Sequence, residues 1–231
     1  MKLVSTRNLT ALVVAGCLSL VVLLLAGKET PAAFAKLVAS SSFIVLAIHA
    51  GGRRSSYGRV ILAGLACSWV GDVALIGGSK GWFLLGLGAF LLAHVAYIAA
   101  FVIAGLSGRW IGVAAFPVAV IALSVSAWLD PYVSQDLAMP VRLYIVVISL
   151  MVIAAFGARG RGASTLIVVG AVSFFLSDLS VAALRLVHTE IPTYIVGLPL
   201  YYAAQINFAL STAHNRGPTE AFPINGPRGN R

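Results

Sequence analysis

The chain has 231 residues, of which 60% are hydrophobic and only 10% are charged, and its mean hydropathy is +0.97. Soluble domains carry about 25% charged residues, so this composition excludes an ordinary soluble domain. The formal net charge of +9 does not indicate a nucleic-acid-binding protein, because the lysines and arginines are scattered without a basic stripe. We therefore expect an all-α, polytopic integral membrane protein whose surroundings are the lipid bilayer.

Eight apolar stretches follow one another along the chain, and each is long enough for a transmembrane helix of about 20 residues. They cover residues 9–27, 32–50, 60–77, 82–106, 110–128, 141–157, 164–187 and 194–213. The sequence thus predicts one eight-helix transmembrane domain over residues 1–213. Residues 214–231 are rich in glycine, proline and asparagine, which predicts a disordered cytoplasmic tail.

The first apolar stretch has a second interpretation. The four residues that end at Cys17 look like a lipoprotein processing site, and Lys2 and Arg7 precede them as a basic segment would. However, the apolar run continues past Cys17 to Ala26, as a spanning helix requires. We favour the spanning helix, and processing at Cys17 stays an alternative.

The distribution of lysine and arginine predicts the orientation in the membrane. With the N-terminus in the cytoplasm, eleven of the sixteen basic residues fall on the cytoplasmic side. The other five are Lys28, Lys36, Lys80, Arg142 and Arg185. Cytoplasmic loops of membrane proteins are enriched in basic residues, so both termini are predicted to be cytoplasmic.

A few ionisable residues lie within the predicted spans, where a charge is costly and therefore marks a functional site. They are Lys36, His49, Asp72, His94, Asp178 and Arg185. His49 and Arg185 lie near helix ends and can extend to the interface, so we set them aside. The topology places the other four at similar depths in the outer half of the bilayer.

Helical spacing adds polar neighbours to these four residues. The neighbours are Ser68, Tyr97, Ser177, Tyr201, Tyr202 and Gln205. One alternative is that Asp72, Asp178 and Lys36 form a buried ion pair or hydrogen-bonded cluster that only holds helices together. That alternative accounts for one charge pair, but less well for a second carboxylate and a histidine. His94 taken alone fits a packing role as well as a proton-carrying role.

Two carboxyl groups in a dry pocket suit acid–base chemistry. Burial disfavours a charged carboxyl group, and two neighbouring carboxyls do not easily ionise together. One of Asp72 and Asp178 can therefore stay a neutral acid, while the other, beside Lys36 or His94, stays charged. The pair can then protonate a substrate and stabilise or hydrate the cation that forms.

The histidines and cysteines do not have the spacing of metal ligands. The histidines are His49, His94, His188 and His214, and none of them forms an H-x-x-x-H pair. Cys17 and Cys67 each lie alone in an apolar run, which favours neither a zinc site nor a disulfide framework. We expect neither a metal site nor a cofactor.

The polar residues fall into five short motifs in a fixed order. They are Lys36, Gly71-Asp72, Phe90-x-x-x-His94-x-x-Tyr97, Ser177-Asp178 and Tyr201-Tyr202-x-x-Gln205. In these motifs and their order the chain resembles the YhhN/TMEM86 family, from about residue 33 to residue 213. Leu37 departs from the family pattern, in which proline usually follows the lysine, but the charge of Lys36 is kept.

The resemblance implies an eight-helix fold and an enzyme that hydrolyses the vinyl ether bond of lysoplasmalogens. The products would be a fatty aldehyde and a glycerophospho-base, and the substrate a lysophospholipid of the bilayer, here of a bacterial cell membrane. Glycosidases meet a similar oxocarbenium ion with paired carboxylates. Asp72 and Asp178 would take those roles in an order that the sequence leaves open, and His94 would orient a group or relay a proton.

The remaining motif residues are predicted to bind the substrate. They are Lys36, Ser68, Tyr97, Ser177, Tyr201, Tyr202 and Gln205. Lys36 would hold the lipid phosphate or pair with an aspartate, while the tyrosines and Gln205 of the last helix would position the headgroup or water. A proton-coupled transporter or lipid-binding protein with the same carboxylates is the rival class, and a structural subunit is a third. The sequence carries no indication of an oligomeric state.

Overall fold

The computed structural model describes residues 5–214, and the regular structure in this part is helical throughout. The eight α-helices are α1 Thr6–Leu25, α2 Glu29–His49, α3 Ser56–Ala74, α4 Lys80–Ala104, α5 Gly108–Leu129, α6 Gln135–Arg159, α7 Thr165–Arg185 and α8 Tyr194–Ser211. A short 3-10 helix, Asp130–Tyr132, connects α5 to α6. The tail that was predicted to be disordered lies, apart from His214, outside the described residues.

Each predicted apolar stretch overlaps one of these helices, but six of the helices begin two to six residues earlier than predicted. The reason is visible where serine precedes the helix. Ser5, Ser55 and Ser79 each accept a hydrogen bond from a backbone N–H of the first turn. Such N-caps let polar residues join the first turn of a helix, which a search for apolar residues does not detect.

Six of the helices are long and apolar enough to cross a membrane. They are α1, α2, α4, α5 together with the 3-10 helix, α6 and α7. The helices α3 and α8 are shorter, with 19 and 18 residues, and their polar residues lower their hydropathy. Large apolar side chains such as Leu18, Leu92 and Phe116 are exposed on the outside of the bundle. The protein is therefore a multi-pass helical membrane protein.

The helices pack as four antiparallel hairpins, because the connections between consecutive helices are short. Further contacts join α2 to α3 and α8, α4 to α6, and α6 to α7. These contacts close a ring of six helices, which we call the helix ring: α2, α3, α4, α6, α7 and α8. The helix α1 packs against α2 and α8, and α5 packs against α6.

A glycine allows α1 to approach α2 closely. A Cβ atom added at Gly16 would lie 2.8 Å from Ala39 Cβ and 3.2 Å from Ala39 Cα. Small residues of this kind are the usual means of bringing helices together in lipid. The contact fixes α1 on the outside of α2, the helix that also carries Lys36.

Replacing Gly16 by leucine should therefore destabilise the bundle. Overpacking of a close contact costs about 1–3 kcal/mol, and we expect a loss of that size in the free energy of unfolding in detergent. Gly88→Leu is the matched control, because a Cβ at Gly88 meets no atom within 4 Å. Equal changes in the two variants would contradict the close approach.

Candidate active site

A cavity of about 750 Å³ lies inside the bundle at the end where α1, α3, α5 and α7 finish. We call this the pocket end. Small-molecule sites usually measure about 300–1,000 Å³, so the cavity has the size of a ligand site. Residues of all eight helices line it. Its acidic and basic lining residues come from α2, α3 and α7, whereas α4, α5 and α6 contribute apolar side chains and a single tyrosine.

The first carboxyl group of the cavity belongs to Asp72, near the end of α3, and only 3% of this residue is exposed. Its Oδ2 accepts hydrogen bonds from Ser40 Oγ and Tyr201 OH, both at 2.6 Å. Its Oδ1 lies 3.9 Å from Lys36 Nζ. A buried carboxylate needs a counter-charge and hydrogen-bond donors. Residues of α2 and α8 supply both to Asp72.

Tyr202 contacts Ser40 and Lys36 without lining the cavity itself. Its hydroxyl lies 3.2 Å from Ser40 Oγ and donates to the carbonyl oxygen of Lys36 at 3.5 Å. Lys36 and Ser40 are four residues apart on α2, so they share one face of the helix. Tyr202 is buried but does not line the cavity. It therefore orients the residues that hold Asp72.

The second carboxyl group belongs to Asp178 on α7, and 19% of its side chain is exposed. Its Oδ2 accepts a hydrogen bond from Tyr144 OH of α6 at 2.7 Å. Within residues 5–214, no lysine or arginine forms a salt bridge with Asp178. The two carboxyl groups therefore line one cavity in different surroundings, since only Asp72 has a cation beside it.

His94 lies beside Asp178 but is fully buried and does not line the cavity. Its ring packs edge-on against Phe174 and Tyr144, with centroids 4.6 and 5.2 Å away. His94 Nε2 is 3.9 Å from Asp178 Oδ2, which is longer than a hydrogen bond. Neither ring nitrogen has a hydrogen-bond partner among the described residues. Aromatic packing thus holds the imidazole next to the second carboxyl group.

A third polar group lies deeper in the helix ring. Tyr97 OH donates to Gln205 Oε1 at 3.0 Å and lies 3.2 Å from Ser68 Oγ. All three residues are fully buried, and none of them lines the cavity. Their hydrogen bonds connect α3, α4 and α8 below Asp72 and Tyr201.

The structure thus separates the ten predicted site residues into two groups. Lys36, Asp72, Ser177, Asp178 and Tyr201 line the cavity. Ser68, His94, Tyr97, Tyr202 and Gln205 lie behind this first group and do not line the cavity. In residues 5–214 there is no group of three or more histidine, cysteine, aspartate or glutamate side chains suited to a metal ion.

Two further donors to the carboxyl groups, Ser40 and Tyr144, were not among the predicted residues. A signal existed for Ser40, since it lies one helical turn after Lys36. Tyr144 carried no such signal, because none of the predicted site residues lies on α6. Arg185 was set aside as an interfacial residue, yet it lines the cavity together with Glu29.

The fold and the cavity define a multi-pass helical membrane protein with a buried acidic site. The family model described as "YhhN family" matches residues 31–212. The chain belongs to the YhhN family. No solved structure matches it.

Curated relatives carry the name lysoplasmalogenase. Lysoplasmalogenase TMEM86A of Homo sapiens is 30% identical over 170 residues, which cover 71% of this chain and 69% of the relative. The Bos taurus protein of the same name is 28% identical over the same shares. A lysoplasmalogenase of Mycobacterium tuberculosis is 43% identical over 102 residues, covering 42% of this chain and 38% of the relative.

The pairing of Lys36 with Asp72 can be measured by a double-mutant cycle on unfolding. Lys36→Met leaves a buried carboxyl group without its cation, and Asp72→Asn leaves a buried ammonium, so each single change should destabilise strongly. In the double variant the two losses should not add, with a coupling energy of about 0.5–3 kcal/mol.

The exposed pair of Lys80 and Asp136 is the control for this cycle. The same substitutions there should give a coupling energy below about 1 kcal/mol, because water screens surface ion pairs. Additive losses at Lys36 and Asp72 would contradict their pairing.

Proposed function

We propose that this protein hydrolyses the vinyl ether bond of lysoplasmalogens, releasing a fatty aldehyde and a glycerophospho-base. The observation that carries the proposal is the cavity itself, which Asp72 and Asp178 both line. Apolar residues of α4, α5 and α6 form its other walls, so it suits a molecule with one polar part and one long hydrocarbon part. The names of the curated relatives support the same reaction.

We further propose that all eight helices span the membrane and that the pocket end is non-cytoplasmic. The helix α3 packs along both α2 and α4 and is joined to each of them by a short connection, which supports a return across the bilayer between two spanning helices. The opposite end of the bundle carries Arg53, Arg54, Arg59, Arg109 and Arg159. Basic residues favour the cytoplasmic side, which supports cytoplasmic termini. The mycobacterial relatives support a bacterial cell membrane as the location.

In the first step, Asp178 acts as the general acid. A carboxyl group without a counter-charge is buried most easily in its neutral form, and Asp178 has a hydroxyl donor, Tyr144, but no cation beside it. The acid transfers its proton to the vinyl carbon that is not bonded to oxygen. The carbon–carbon double bond becomes single, and the oxygen-bearing carbon becomes part of an oxocarbenium ion.

In the second step, the carboxylate of Asp72 stabilises the cation and activates the water that attacks it. Lys36, Ser40 and Tyr201 surround this carboxyl group with a positive charge and two hydroxyl donors, which suits the ionised form. A carboxylate stabilises an oxocarbenium ion electrostatically, as in glycosidases. It then takes one proton from the water that adds to the oxygen-bearing carbon. The hemiacetal breaks its bond to the glycerol oxygen, and the hydroxyl proton moves to that oxygen as the aldehyde leaves.

The residues behind the cavity hold the catalytic side chains and their helices in position. The proton that Asp72 took from the water returns to Asp178 across the cavity that both residues line, and the buried imidazole of His94, 3.9 Å from Asp178 Oδ2, helps to position that carboxyl group. Tyr97, Ser68 and Gln205 fix α3, α4 and α8 relative to one another. Tyr202 keeps Ser40 and Lys36 aligned with Asp72, and Ser177 lines the cavity beside Asp178.

Asparagine at either carboxyl position should lower turnover strongly, measured on the folded fraction of each variant, because Asp72→Asn also destabilises the protein. General acid–base groups contribute about 10²–10⁴-fold, so Asp178→Asn and Asp72→Asn should each lower kcat by that amount in an assay of aldehyde release. Asp130→Asn is the control, because Asp130 is exposed at the pocket end and does not line the cavity.

Near-normal kcat in either variant would remove that residue from catalysis. If the wild-type protein released no aldehyde but moved the lipid across proteoliposome membranes, a transporter would replace the enzyme. If the wild-type protein showed no activity and both variants failed to fold, the carboxyl groups would have only a structural role.

Hydrolysis in heavy water should label the product at one defined carbon. Because the first step adds a solvent-derived proton to the vinyl carbon, the aldehyde should carry one deuterium on the carbon next to the carbonyl. Mass spectrometry of the trapped aldehyde measures this. An unlabelled aldehyde would contradict protonation at carbon.

A further inference from the structure

Three charged side chains besides the two catalytic carboxyl groups line the cavity, and two of them, Glu29 and Arg185, have no part in the reaction sequence above. Glu29 is the first residue of α2, Lys36 lies two turns further along the same helix, and Arg185 is the last residue of α7. All three face the cavity that holds Asp72 and Asp178.

Arg185 and Lys36 are the two basic residues that line the cavity. Arg185 Nη2 donates to the carbonyl oxygen of Leu75 at 3.4 Å, which holds the guanidinium at the end of α3. The ammonium of Lys36 is 3.9 Å from Asp72, beyond hydrogen-bond length, so its three N–H donors are available to a ligand. Asp72 is the counter-charge of Lys36, whereas Arg185 forms no salt bridge within residues 5–214, so a bound anion would give the guanidinium a partner. Guanidinium and ammonium groups are both common phosphate ligands.

Glu29 adds the opposite charge on the same side of the cavity. Its side chain has no hydrogen bond or salt bridge within residues 5–214. Seven residues separate it from Lys36, which is about 10 Å along the helix axis. A carboxylate at that distance from a phosphate site is placed to meet a positively charged group at the end of a short linker.

We infer that Arg185 and Lys36 bind the phosphate of a zwitterionic glycerophospho-base and that Glu29 binds its amine. Glu29 and Arg185 lie at helix ends around the cavity, and Lys36 lies two turns deeper, beside Asp72. With the amine at Glu29 and the phosphate at Arg185 and Lys36, the ether of the lipid points towards the carboxyl groups. The inference rests on the proposed function, since it names the headgroup that the same cavity selects.

Three substrates that carry the same alkenyl chain distinguish the contacts made by the amine from those made by the phosphate. They are an alkenyl-glycerophosphoethanolamine, an alkenyl-glycerophosphate without the amine, and an alkenylglycerol without phosphate. The purified full-length protein is assayed with each for aldehyde release, and kcat and KM are determined separately.

Glu29→Gln should lower kcat/KM for the ethanolamine lipid by about five- to tenfold, as expected for loss of a partly screened charge pair, mainly through KM. The same substitution should leave kcat/KM for the alkenyl-glycerophosphate unchanged or raise it. Arg185→Gln should raise KM for both phosphate-bearing lipids and leave the alkenylglycerol unchanged. Glu190→Gln and Arg142→Gln are the matched controls, because both residues are exposed at the pocket end and do not line the cavity.

The outcomes distinguish this inference from the proposed function. If the wild-type protein cleaves the lipids but Glu29→Gln and Arg185→Gln change all three substrates equally or none of them, the headgroup assignment is overturned and the hydrolase remains. If the wild-type protein cleaves none of the three, the proposed function itself fails. The unfolding temperature of each variant is measured before the assay to verify that the variant is folded.

Discussion

Burial of carboxyl groups inside a ring of apolar helices is the constraint on which this structure depends. A charge removed from water needs a partner and hydrogen bonds, and in a bilayer it has few other ways to obtain them. Asp72 obtains them from α2 and α8, through Lys36, Ser40 and Tyr201. Asp178 obtains a single donor from α6, through Tyr144. The helix ring therefore closes around groups that none of its members could bury alone.

The same constraint underlies the different roles that we propose for the two carboxyl groups. One of them is surrounded by a cation and hydroxyl donors, while the other has one hydroxyl and an imidazole at 3.9 Å. Unequal surroundings of this kind separate acid from base in many enzymes. The apolar wall from α4, α5 and α6 adds the part that a lipid substrate requires, because it gives the hydrocarbon chain a place out of water.

The sequence allowed much of this arrangement to be predicted, because charges are rare in spans. Asp72 and Asp178 stand out among apolar neighbours, and the alternating topology places them at one end of the bundle. Of their hydroxyl donors only Tyr201 was predicted, since an isolated serine or tyrosine in a span has no distinctive pattern until its neighbour in space is known. Ser40 and Tyr144 come from helices distant in sequence from the carboxyl groups that they contact.

The predicted depth of a residue in the bilayer also does not show whether its side chain lines the cavity or lies behind it. His94, Tyr97 and Gln205 lie at depths similar to those of the carboxyl groups, but their side chains point into the packed interior. The direction of a side chain depends on the rotation of its helix, which packing against the neighbouring helices sets. For the same reason Arg185 was set aside as an interfacial residue although it lines the cavity.

The most direct test of the account is an experimental structure with a saturated ether analogue of the lysolipid, which the enzyme cannot cleave. The account predicts that the ether oxygen and its neighbouring carbons lie between the side chains of Asp72 and Asp178, with the hydrocarbon chain along α4, α5 and α6. An analogue bound on the outer surface of the bundle, with neither carboxyl group in contact with it, would contradict the shared cavity as the site of reaction.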